Sequence, residues 1–210
     1  MNEQGATSAT TKDDQRDERQ FDVAVVVDQG AELVDIAGPW GVFEYARSSH
    51  TGRSPFRLSL VAATVEPLVL SGGMRVVPDR TFSECPHPDI VVVPAMGAHD
   101  GTDEVFDWLR RVHRTAVLTM SVCNGAFVLA GAGLLDGRTA TCHHGGYGAM
   151  RAMFPAVTVQ RGVRWVDHGD VATAGGLTSG TDLALRIVER LLGPDTAERA
   201  ASDLEYFGDG

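Results

Sequence analysis

In Thr115-Ala116-Val117-Leu118-Thr119-Met120-Ser121-Val122-Cys123-Asn124-Gly125-Ala126 an apolar run meets a cysteine and then a row of small residues. Residues 115–120 form an apolar, β-branched run of the kind found in a strand covered on both faces. Small residues then open a helix, predicted over 124–135 and closed near Gly137. One cysteine stands on the turn between strand and helix. A buried strand passing through a sharp turn into a helix, with a nucleophile on the turn, is the layout of a nucleophile elbow. Strand followed at once by helix is also the unit from which parallel sheets with covered faces are built.

The same alternation recurs on either side of this segment. Residues 21–27 are nearly continuous in Val and Ala and read as a strand buried on both faces. A turn at Asp28-Gln29-Gly30 leads to a helical stretch over 38–45. Residues 56–62 read as a strand, 65–77 as a shorter β excursion about Ser71-Gly72-Gly73, and 89–94 as a second fully buried strand. Residues 104–114 place Val105, Trp108, Leu109 and Val112 at helical spacing. Short strands over 139–141 and 157–160 flank a helix near 148–153, and 163–167 with 170–174 read as a hairpin turning at His168-Gly169. A strong helix over 181–192 is stopped by Gly193-Pro194. The pattern predicts a mostly parallel sheet covered by helices on both faces, in one domain over 21–210.

Composition narrows the function classes. The chain has 210 residues, of which 43% are hydrophobic and 22% charged, an ordinary globular balance. Lys and Arg total 18 against 28 Asp and Glu, a formal charge of −10, which argues against nucleic-acid or anionic-membrane binding. No run of about 18 apolar residues exists to span a membrane. Residues 1–20 hold eight charged side chains and no Val, Ile, Leu or aromatic, so they read as a disordered tail without a signal-peptide core. Cys85, Cys123 and Cys142 are too few and scattered for a disulfide framework. The cytoplasm is the expected compartment.

Two residues stand out for chemistry. Cys123, at the start of a helix, is placed where the N-terminal dipole lowers a thiol pKa and neighbouring N–H groups could hold a developing anion. Its bland alternative is a buried cysteine acting as a small hydrophobe. Asp35 sits among Leu33, Val34, Ile36, Ala37, Gly38 and Pro39. A carboxyl among apolar groups has its pKa raised and suits proton transfer; the bland alternative is a helix N-cap. Gly175-Gly176 through Gly180 precedes a helix and reads either as an anion-binding turn or as a tight strand-to-helix turn. Cys142-His143-His144 lacks metal-ligand spacing. Trp40, Trp108 and Trp165 read as core or interface aromatics.

Taken together, Gly30 with Asp35-Ile36-Ala37-Gly38-Pro39, Val92-Val93-Pro94, Ser121-Val122-Cys123-Asn124-Gly125-Ala126, the run 134–141 with His143, and Ala174-Gly175-Gly176 leading to residues 180–185 resemble the ThiJ/PfpI superfamily of class I glutamine-amidotransferase-like proteins. The likeness runs from about Phe21 to Tyr206 and points to the branch holding isonitrile hydratases and the sensor domains of AraC-type regulators. It implies a flavodoxin-like three-layer α/β sandwich with a cysteine nucleophile elbow. It implies a cofactor-independent isonitrile hydratase-like lyase, with Cys123 attacking the isocyanide carbon and Asp35 as general acid and base. Asn124, Met96, Gly97, Gly38 and His143 are implied as substrate-binding positions, a small molecule as substrate, and a homodimer as the assembly, with the segment around Trp40 and Phe43 as its contact. No metal or organic cofactor is implied.

The departures define the alternatives. Thr follows the nucleophile in isonitrile hydratases, whereas Asn124 does here; the proteolytic and deglycase-like branches have His at that place. Ala95-Met96-Gly97 replaces the usual strand-end Gly-Gly. Another cysteine hydrolase or biosynthetic lyase is one alternative. A non-catalytic sensor is the other, and no helix-turn-helix module is expected in this chain.

Overall fold

The apolar runs become strands because each is covered on two sides. The computed structural model describes residues 19–48, 51–97 and 102–206. The tail expected over 1–20 lies outside the described residues, apart from Arg19 and Gln20. In chain order the strands are β1 (Phe21–Val26), β2 (Phe56–Ala62), β3 (Leu68–Val69), β4 (Arg75–Val76), β5 (Arg80–Thr81), β6 (Ile90–Val93), β7 (Leu118–Ser121), β8 (Thr139–Ala140), β9 (Thr158–Val159), β10 (Trp165–Asp167) and β11 (Val171–Ala174). The helices are α1 (Leu33–Tyr45), α2 (Asp103–His113), α3 (Gly125–Gly131), α4 (Tyr147–Met153), α5 (Ser179–Leu192) and α6 (Pro194–Asp203).

The main sheet runs β10-β11-β7-β6-β1-β2-β5, parallel throughout except for the β10–β11 hairpin at one edge. Side chains alternate between its faces. Val23, Val25, Ile90, Val92 and Met120 face Ile36, Phe43, Leu183 and Ile187 of α1 and α5. Ala24, Val26, Val91 and Val93 face Trp108, Leu109, Val112 and Leu129 of α2 and α3. That two-sided burial is why these strands show continuous rather than alternating hydrophobicity. Trp108 is fully buried and its Nε1 donates to the Cys85 carbonyl at 2.9 Å, so its polar edge is satisfied.

Several boundaries differ from expectation for local reasons. Helix α1 starts at Leu33, not at 38, because Glu32 caps it by accepting from the Val34 N–H. Helix α3 ends at Gly131, before 135, where Gly133 turns to φ +77°. Gly193, at φ +94°, stops α5 as expected, yet Pro194 then serves as the first residue of α6, which the sequence reading omits. The excursion over 65–77 is the hairpin β3–β4, hydrogen-bonded along the loop that leads into α1 through Gly30 N to Val69 O and Ser71 N to Ala31 O. Phe43, expected at a dimer contact in a loop, is instead inside α1 and fully buried against Phe56. It offers no surface to a partner.

The chain leaves β1 toward β2 on one side and later fills β6 on the other. The crevice beyond the carboxyl ends of β1 and β6 is therefore a topological switch point, where ligands bind in open α/β sheets.

Candidate active site

Three strand ends converge on that crevice. After β7 the backbone turns sharply: Cys123 has φ +58°, a left-handed conformation that costs a non-glycine residue on the order of 1 kcal/mol or more. It is held there from both sides. The Val122 N–H donates to Val93 O at 3.0 Å, and the Cys123 N–H donates to Gly175 O at 2.7 Å. Two residues on, at the start of α3, only glycine fits. A Cβ at Gly125 would lie 2.1 Å from Val93 O and 2.7 Å from Pro94 O, both rigid backbone atoms. We expect Gly125→Ala to cost about 3 kcal/mol or more, the upper end for overpacking, because strand β6 cannot move aside. A urea melt resembling wild type would contradict this close approach.

Asp35, in the first turn of α1, is the second element. It is fully buried and is not the N-cap, since Glu32 fills that position. Its side chain instead crosses to the end of β6, where the Ala95 N–H donates to Oδ2 at 3.0 Å, while the Glu32 N–H donates to Ala95 O at 2.8 Å. Among the described residues Oδ1 is buried without a partner of ordinary hydrogen-bond geometry. Burial raises the carboxyl to about 7, opposed by the Ala95 bond and helped by the charge of Glu32.

The Cys123 thiol faces Asp35, and it is pushed up to about 11 by its burial and by the Asp35 carboxylate. This reverses the lowering expected from the helix start. The N–H groups of Asn124 and Leu177 do favour the thiolate, but desolvation and a facing anion outweigh them. The pair is thus a protonated thiol beside a carboxyl that titrates near neutrality. Such a pair can move a proton as a carbon–sulfur bond forms.

The other expected site residues fall into two groups. Asn124 keeps its backbone at the sulfur, and its side-chain oxygen is buried unpaired over Gly146, 2.7 Å from where a Cβ there would sit. The His143 ring packs on Gly176, where a Cβ would lie 2.5 Å from Cδ2. His143 Nδ1 accepts from the Gly145 N–H at 3.2 Å, which leaves Nε2 as the donor of the neutral ring. Gly97 approaches Gln29 O in the loop after β1. Met96 and Gly38, the remaining expected positions, make packing contacts. Met96 is buried in the core on the α2–α3 face, and Gly38 lets Thr181 Oγ1 of α5 come within 2.7 Å of its missing Cβ position.

Sequence reading overlooked the residues beyond the elbow. Leu177 has φ +49° and presents its amide to both Cys123 and Asp35. A cavity of about 420 Å³ adjoins the elbow through Gly175, Gly176 and Leu177. It is walled further by His143, Tyr147 and Arg164. The signals in the sequence were His143 and Gly175-Gly176, and at the glycines the tight-turn reading holds locally: Ser179 N–H donates to Gly176 O and Gly180 N–H to Leu177 O.

Comparison with known proteins agrees with this architecture. The isonitrile hydratase of Pseudomonas putida is 33% identical over 179 residues, covering 83% of this chain and 74% of that protein. The HTH-type transcriptional regulator CdhR of Pseudomonas aeruginosa is 31% identical over 144 residues, 68% of this chain but 43% of the regulator. Among solved structures, a ThiJ/PfpI family protein from Pseudomonas syringae superposes with a TM-score of 0.80 at 26% identity, over 91% of this chain and 77% of that one. Drosophila melanogaster DJ-1beta shares the fold, with a TM-score of 0.76 at 21% identity over 90% of this chain and 100% of that one. The family model for DJ-1/PfpI matches residues 22–190, from the first strand through α5. A flavodoxin-like sheet, a left-handed cysteine at the end of β7 and a sequence match over most of its length place this chain in the DJ-1/PfpI family.

Proposed function

We propose that this chain hydrates isocyanides, converting R–N≡C and water into an N-substituted formamide, with Cys123 as nucleophile and Asp35 as the acid–base group. The observation that carries this reading is the pair itself. A fully buried carboxyl titrating at about 7 faces a thiol titrating at about 11. Near neutral pH about half of Asp35 is ionised while the thiol keeps its proton. The carboxylate takes that proton as Sγ bonds to the terminal isocyanide carbon, then delivers it to the same carbon. The product is a thioimidate, R–N=CH–S–Cys123. Asp35, again ionised, takes a proton from water as oxygen adds to that carbon, and passes it to nitrogen. Collapse breaks the carbon–sulfur bond, returns a proton to sulfur and releases R–NH–CHO. The similarity to the Pseudomonas putida isonitrile hydratase supports the choice of substrate. His143 lines the cavity beside the elbow and would orient the substrate, with Asn124 acting from its place next to the sulfur; Gly97 shapes the loop after β1.

Because the base form of Asp35 does the first step, kcat/KM for a simple alkyl isocyanide should rise with pH through about 7 and then level. A flat profile between about pH 6 and 8 would remove Asp35 from the proton path. The regulator relatives favour a second reading, in which the site binds a small molecule without turning it over. Saturable binding with no formamide formed from any isocyanide would select it.

A further inference from the structure

The cavity beside the elbow departs from the charge balance of the chain. The protein carries 28 acidic and 18 basic side chains, yet the walls of this cavity include Arg164, His143 and His144 and no Asp or Glu. Hydroxyl groups of Tyr147, Thr178 and Ser179 complete its polar surface. Arg161 lies over the ring of Tyr147, 5.5 Å from its centroid, and adds a further cation at the rim.

Arg164 is held as a recognition residue is held. Its Nε donates to Asp182 Oδ2, and its Nη2 donates to Thr178 Oγ1 at 3.3 Å. Asp182 is fixed in turn, because the Tyr206 hydroxyl donates to its Oδ1 at 2.7 Å. Asp182 does not line the cavity, so the carboxylate orients the guanidinium from behind. The Nη1 group has no protein partner among the described residues. A planar guanidinium braced on one edge and open on the other is suited to a second, oxygen-rich anion.

The cavity is also tied to the elbow. The Gly175 N–H donates to Arg164 O, and Gly175 O accepts from the Cys123 N–H. One short backbone path therefore links the guanidinium-bearing residue to the nucleophile. A volume of about 420 Å³ lies within the usual range for small-molecule sites and exceeds what an isocyano group alone would fill.

We infer that this cavity binds an anionic group on the substrate, a carboxylate or phosphonate carried by the nitrogen substituent, gripped by Arg164 with Thr178 and the His143–His144 wall. The inference rests on the isocyanide reading for the reacting end and on the cavity lining for the anionic end.

The test is a matched set: an n-alkyl isocyanide, the ω-isocyano carboxylate of equal length and the corresponding phosphonate. Wild type should favour one of the two anionic members by about 10–100-fold in kcat/KM, chiefly through KM. The better of the two identifies the anion. Arg164→Gln should lower that ratio by at least about tenfold. Melting temperatures accompany both proteins, and Thr178→Val replaces the arginine variant should it fail to fold. In parallel, an unreactive alkanoate and the alcohol of equal length are titrated calorimetrically into Cys123→Ala. Arg164-dependent binding of the alkanoate alone, with no isocyanide hydrated, would uphold the anion site and reject the hydratase reading. Equal or better turnover of the neutral isocyanide, or no preference of the cavity for alkanoate over alcohol, would overturn the inference.

Discussion

Cys123→Ala should reduce isocyanide turnover by about 10⁴-fold or more while leaving a folded protein, because it deletes the only atom proposed to bond to the substrate. The structural cost is small. Cys123 is 7% exposed, its left-handed backbone is held by the Val122 and Cys123 N–H bonds rather than by its sulfur, and alanine accepts that backbone no worse than cysteine. A loss of about 1 kcal/mol corresponds to a fall in Tm of about 2–4 °C for a chain of this length. Intact-mass spectra give a second readout. A slowly hydrolysed isocyanide should add its own mass to wild type and nothing to the variant. Formamide production by the variant at even a tenth of the wild-type rate would rule out a thioimidate on this residue.

Asp35→Asn should separate activity from stability in opposite directions. Turnover should fall by about 10²–10⁴-fold, the range for a lost general acid–base, because the amide cannot ionise. Stability should rise, and only in one pH window. The folded carboxyl titrates at about 7 and the free one at 3.8, so the folded state holds the extra proton between these values. Folding stability contributed by the protonated form is therefore complete below about pH 4 and is lost as pH rises toward 7. Above 7 the native protein must bury a carboxylate, at a cost of at most about 4 kcal/mol for a shift of about three units. The amide avoids that cost and can still accept from the Ala95 N–H. Its Tm should exceed wild type by several degrees at about pH 8 and match it at about pH 4. Unchanged turnover would reduce Asp35 to a structural residue. Lower stability at high pH would mean that the carboxylate is solvated or better bonded than its burial indicates.

Much of this molecule is legible from local pattern. The nearly continuous apolar runs at 21–27 and 89–94 could be read as strands buried on both faces because Asp22 and the leading Asp89 are their only polar side chains. The turn at Cys123 could be read because a strand-forming run meets Asn-Gly-Ala without a linker. Asp35 could be singled out because its neighbours are apolar on both sides, and its elevated carboxyl pKa follows from that setting. Helix ends were less legible. Glu32 as the cap of α1, and Pro194 as both stop and start, depend on backbone angles that one or two residues set and that neighbouring turns can override.

The sequence alone determined the parallel α/β sheet, the elbow with its cysteine, and the acid that follows the first strand, since periodicity and turn chemistry are properties of neighbouring residues; that this acid lies in the first turn of α1 came from the fold. Tertiary structure decided the direction of the Cys123 shift, the burial of Phe43, the packing duties of Gly38 and Met96, and the basic cavity. The physical reason is common to all four. A thiol's pKa sums desolvation and charge from every side, and here a carboxylate 88 positions earlier in the chain reverses what the local helix start favours. The cavity likewise exists only because the loops around His143, Arg164 and Leu177, unremarkable in isolation, are brought to one side of the elbow by the order of β7, β11 and β10.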